Sequence, residues 1–199
     1  MTQTTVISPA TTATAPTPSG LRSLHLIRVV FSLIWVALVL TTSASLESTD
    51  RPTAVAAVLL VVYPLWDVIA TLLERRLAGT GSADHVSAVN MALGLATTVG
   101  MIVAVFASVG TALLVFGVWA LLSGAVQLVV AVRRRRTVGA QWPMVVSGAQ
   151  SVLAGATIAA SSGSATSGLS TVAGYSAFGA FWFLVSVIAL SVRARRAER

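Results

Sequence analysis

The chain contains no cysteine and no lysine. The first absence excludes disulfides, thiolate nucleophiles and cysteine-held metal sites, and the second removes the side chain that Schiff-base chemistry uses. Charge of either sign is scarce, since 10% of the 199 residues are charged where a soluble domain has about a quarter. Apolar residues take up the difference, with 56% hydrophobic content and a mean hydropathy of +0.88. Such a chain cannot hide its apolar surface in a soluble core. It reads as an integral membrane protein.

The net charge of +7 comes entirely from arginine. Arg22 and Arg28 open the first apolar stretch. Arg75 and Arg76 close the second, Arg133, Arg134, Arg135 and Arg136 close the fourth, and Arg193, Arg195, Arg196 and Arg199 close the sixth; only Arg51 stands apart. Cytoplasmic loops retain Lys and Arg, so this alternation predicts six spans in the plasma membrane with both termini inside. The clusters lie beside apolar spans and lack a basic-aromatic reading surface, which argues against nucleic acid as a partner. They suit anionic lipid headgroups at Arg75, Arg76, Arg133 to Arg136, Arg193, Arg195 and Arg196, where each gains roughly 1 kcal/mol. The plainer reading is that they only set topology.

The spans fall at about 23–43, 53–74, 86–108, 111–132, 141–160 and 169–192, each close to the ~20 residues that cross a bilayer as helix. The runs are continuously apolar, which excludes the alternation of a β-barrel. The expected fold is all-α: a six-transmembrane-helix bundle of three helical hairpins repeated in parallel. Residues 22–196 form the membrane domain, residues 1–21 a disordered cytoplasmic tail rich in Thr, Ala, Pro and Ser, and residues 193–199 a basic tail. Thr41 to Ser45 could pass for a signal-peptidase site, and cleavage there would leave five helices. The long leader before the apolar core argues against it.

Membrane helices associate through close backbone approach along small residues. Ala88, Ala92, Ala96, Gly100, Ala104 and Ser108 recur every four residues along the third span. Gly117 and Gly124 on the fourth and Gly148 and Gly155 on the fifth recur every seven. These stripes predict tight packing of spans three to five; a homo-oligomer interface is their other use. Pro64 removes a helical hydrogen bond and is expected to bend the second span.

Ionisable groups inside a bilayer are costly and are paired or functional. Asp67 lies eight positions before Arg75, about 12 Å of helix rise, and Arg28 reaches a similar depth on the neighbouring span. The two are predicted to pair. Asn90 and Gln127 lie at the same level, so a polar layer of Arg28, Asp67, Asn90 and Gln127 is expected across the bundle. It reads either as a structural latch or as a proton-responsive or ion-conducting site. His25 and His85 stand at the inner rim without metal-ligand spacing. There is no HExxH, GxSxG or P-loop, and Asp67 has no second intramembrane carboxylate to work with, so neither enzyme nor cofactor is expected.

The segments FGVWALLSGAVQLVVAVRRRR (116–136), GAQWPMVVSGAQSVLAG (139–155) and GYSAFGAFWFLVSVIALSVRARR (174–196) resemble the HdeD-like family of small six-helix membrane proteins built from glycine-bearing hairpins. LRSLHLIRVVFSLIWVAL and VVYPLWDVIATLLERR look like an actinobacterial-type branch of it. The resemblance implies a bacterial inner-membrane protein, a link to acid stress through the namesake, and no catalytic residues. A glycine-free first hairpin with Pro64 and Asp67 departs from the family pattern. The alternative reading is a small transporter or channel subunit with its pathway along the polar layer.

Overall fold

The computed structural model describes residues 18–43, 51–77, 85–134, 142–164 and 168–197. Among these residues the structure is all-helical: α1 (Pro18–Ser43), α2 (Ala54–Leu77), α3 (His85–Ala107), α4 (Val109–Arg134), α5 (Trp142–Ser161) and α6 (Leu169–Ala197). All six are long and apolar enough to cross a membrane.

Helix ends follow local chemistry. α1 begins at Pro18, so residues 18–21 are helical rather than part of a disordered tail; proline is suited to a first helical position, where its missing N–H costs nothing. Thr53 caps α2, its carbonyl accepting from Ala57 N at 2.8 Å and its hydroxyl from Ala56 N at 3.4 Å. α2 then runs unbroken through Pro64. A single residue, Ser108, separates α3 from α4. Its hydroxyl accepts from Thr111 N at 3.0 Å, so Ser108 caps α4 instead of extending the α3 stripe. α6 continues through Ala197, into the stretch expected as a tail. Residues 1–17, 135–136 and 198–199 of the expected tails and arginine clusters lie outside the described residues, as do the side chains of Arg134, Arg193 and Arg196.

Each helix packs on its neighbours in chain order, and α6 returns against α1 to complete the circuit. The most extensive contacts are α4 with α5 and α1 with α6, both across the boundaries of the sequence hairpins, while α5 touches α6 only lightly. The α4–α5 contact is made by glycine. A Cβ added to Gly117 would lie 2.8 Å from the Gly155 carbonyl oxygen, and one added to Gly124 would lie 3.0 Å from that of Gly148. The two seven-residue spacings thus register antiparallel, letting the backbones touch as lipid-embedded helices require.

The α3 stripe behaves differently. Ala88, Ala92 and Ala96 are exposed on the outer surface, and the face turned inward carries Gly94, Thr98, Met101, Ala104 and Val105. A four-residue repeat advances about 40° per step around a helix of 3.6 residues per turn, so the stripe winds from the outside at Ala88 to the inside at Ala104. The expected continuous seam is therefore corrected to its last part, and even a Cβ added to Gly100 would meet Val115 Cγ1 only at an ordinary 3.6 Å.

The core fills the end of the bundle remote from the arginine clusters. Trp35, Val39, Leu60, Met101, Leu113, Phe116 and Val172 are fully enclosed. Tyr63 stands at its inner margin, 4.4 Å from the Trp35 ring and 5.9 Å from those of Phe116 and Trp119. The Trp35 indole N–H donates to the Leu59 carbonyl at 2.8 Å, tying α1 to α2.

Candidate functional site

One helical turn beyond Tyr63, toward the arginine-bearing end, the apolar packing gives way to charge. Arg28 on α1 is 8% exposed. Its Nη1 lies 3.3 Å from Asp67 Oδ1, and its Nη2 lies 3.5 Å from Glu74 Oε2. Asp67 and Glu74 are seven residues apart, two turns along α2, so both carboxylates project from one face toward the same guanidinium. These distances exceed the ~2.8 Å of a tight charged hydrogen bond, as expected for a guanidinium shared between two acids rather than forked on one. The Asp67 side chain is 23% exposed and that of Glu74 44%, so the pair grades from interior to rim.

Two further helices complete the site. Asn90 on α3 donates its amide N–H to Asp67 Oδ2 at 3.3 Å. It can do so because Gly94, one turn on, lets α3 close on α2: a Cβ there would lie 2.5 Å from Val68 Cγ2. From α6, the Phe183 ring packs under the Arg28 guanidinium at 5.1 Å, a cation–π contact. His25, one turn before Arg28, packs at a tilt against the same ring at 5.9 Å. Four helices thus meet around Arg28, with both Asp67 oxygens engaged.

Of the four residues expected in a polar layer, the structure brings Arg28, Asp67 and Asn90 together. Gln127 stands apart and donates to the Met144 carbonyl on α5 at 3.3 Å. Glu74 and Phe183 are members that sequence reading missed. The seven-residue interval between Asp67 and Glu74 was a usable signal, whereas Phe183 depends on α6 folding back onto α1, which no local pattern encodes. Among the arginines expected at lipid headgroups, Arg76, Arg133 and Arg195 are exposed, while Arg75 is half-buried and directs Nη1 to Met91 Sδ at 3.6 Å.

Chemically, the cluster ties three helices together through one carboxylate, with a guanidinium on one oxygen and an amide on the other. Among the described residues no three His, Cys, Asp or Glu side chains gather closely enough to hold a metal ion.

Comparison with known proteins adds one finding. Residues 86–160, covering α3, α4 and α5, match a family described as a short repeat of unknown function, DUF308. No curated protein and no solved structure matches the chain.

Proposed function

We propose, starting from a multi-pass membrane protein that fits the DUF308/HdeD-like kind, that the chain is a non-enzymatic protein of a bacterial plasma membrane, with both termini cytoplasmic, serving acid or envelope stress. The observation that carries this reading is the Arg28–Asp67 pair with Asn90 on its far oxygen. Charges in a lipid-embedded bundle are retained against a desolvation cost, which favours a role beyond packing. Protonating Asp67 removes the partner that holds Arg28 inward and leaves its guanidinium with Glu74 nearer the rim. The α1–α2–α3 junction then loosens.

Survival of cells at low external pH tests it, comparing wild type, Asp67→Asn and an empty vector. Wild type protects and Asp67→Asn does not. Equal protection by the two proteins, or none by wild type, overturns the reading.

A small transporter or channel subunit is the second reading, favoured by the convergence of Arg28, Asp67 and Asn90 from three helices. Gln127, bonded to α5, takes no part in such a pathway. Ion flux into proteoliposomes at two pH values, abolished by Asp67→Asn, would select this reading over the first.

A further inference from the structure

Beside the charged cluster the bundle interior holds polar atoms that make no well-formed hydrogen bond. Arg28 Nε, Trp119 Nε1, Ser123 Oγ and Ser176 Oγ are all inaccessible and make no hydrogen bond. Ser176 is 0% exposed and Trp119 5%, so neither is exposed to lipid headgroups or bulk solvent. An orphaned polar group in an apolar interior costs about 1–3 kcal/mol, and several at one level are not tolerated without a partner.

Three of these residues, Arg28, Trp119 and Ser176, lie about one side chain. The Tyr63 hydroxyl crosses from α2 to α6, where it lies 3.9 Å from the place a Cβ on Gly179 would occupy. It faces the hydroxyls of Ser32 and Ser176 in a loose polar contact that falls short of hydrogen-bond geometry at Ser176. The Tyr63 ring meets that of Trp119 at 5.9 Å, and Ser123 follows Trp119 by one turn of α4. On the other side, Tyr63 precedes Asp67 by one turn of α2, and Ser32 follows Arg28 by one turn of α1. The orphaned groups therefore form a continuation of the charged cluster toward the bilayer midplane, ending against the closed aromatic core.

The groups are mostly hydrogen-bond donors, but the adjoining charges are one guanidinium and two carboxylates. That balance does not favour an anion. Water satisfies all of them, since each molecule both donates and accepts and needs two to four polar partners. We propose that Arg28 Nε, Ser32, Tyr63, Trp119, Ser123 and Ser176 line an internal water site, closed toward the remote end by Trp35, Phe116 and Leu60 and continuous with Asp67. Each water in such a file receives one proton and passes one on, so the site gives the Asp67 carboxylate a proton route. The route rests on the reading of Asp67 as proton-responsive; the water site itself does not.

The absence of native cysteine makes a direct test available, because a single introduced thiol is the only one in the protein. Ser176→Cys, Ser123→Cys and, as a dry control, Met101→Cys are exposed in native membranes to silver ion, a thiol reagent about the size of water. After denaturation, unblocked thiols are counted with a fluorescent maleimide. Met101 is 0% exposed within the apolar core. Ser176→Cys is expected to be blocked about tenfold faster than Met101→Cys or more, since a dry thiol must wait for local opening. Ser123→Cys carries the same expectation if Ser176→Cys fails to accumulate. Thiols at both serines as inert as that at Met101 overturn the water site. Rapid blocking together with unchanged acid survival of Asp67→Asn leaves the water site standing and removes only the acid-stress reading.

Discussion

Gly117 on α4 and Gly155 on α5 face each other so closely that a methyl group on Gly117 would sit 2.8 Å from the Gly155 carbonyl oxygen. Gly124 and Gly148 repeat the relationship two turns along. Replacing Gly155 with leucine forces the backbones apart and is expected to cost about 3 kcal/mol or more. Unfolding by SDS in mixed micelles, followed by the fluorescence of the five tryptophans, measures it. An unchanged midpoint would mean that the two helices do not touch at this residue.

Arg28 and Asp67 are coupled. A double-mutant cycle with Arg28→Met and Asp67→Asn is expected to give an interaction of about 1–3 kcal/mol at neutral pH. Strict additivity of the two changes at neutral pH would refute the pairing.

Glu74 is the weaker partner of the shared guanidinium, at 3.5 Å and with a side chain 44% exposed. Glu74→Gln should cost less than about 1 kcal/mol, as solvent-screened pairs do. Added salt should shrink the difference between Glu74→Gln and wild type, while leaving the Arg28–Asp67 coupling largely intact. A loss as large as that of Asp67→Asn would place Glu74 in the interior.

The winding of the α3 stripe separates two substitutions only two residues apart. Ala92→Leu points outward and is expected to change stability by no more than about 0.5 kcal/mol. Gly94→Leu drives a side chain into Val68 and lifts Asn90 off Asp67, at about 2 kcal/mol or more. Size-exclusion of the Ala92→Leu protein in detergent serves as the second readout. A shift in its oligomeric state would reveal that the outer stripe joins copies of the chain.

Legibility in the sequence followed the range of the signal. Six spans were readable because hydrophobic length is summed over ~20 residues and tolerates local irregularity. The Arg28–Asp67 pair was readable because adjacent antiparallel helices put equal depths opposite one another. The α4 and α5 glycines were legible as a spacing, yet their mutual register required knowing how far α5 is shifted along α4, which sets Gly117 against Gly155. The α3 stripe misled because a period of four keeps small residues regular in sequence while rotating them in space. Phe183 and the orphaned Ser176 were out of reach, since both depend on the α6–α1 closure between the two ends of the chain.

That closure has a consequence for how the molecule is made. α1 has its largest neighbour in α6, which is synthesised after the four helices between them, so until α6 arrives α1 must sit in the bilayer with one flank unclad. Arg28 gains its carboxylate when α2 arrives, but its aromatic seat only when Phe183 does. The helical circuit is sealed, like a ring with one open joint, only when α6 is in place.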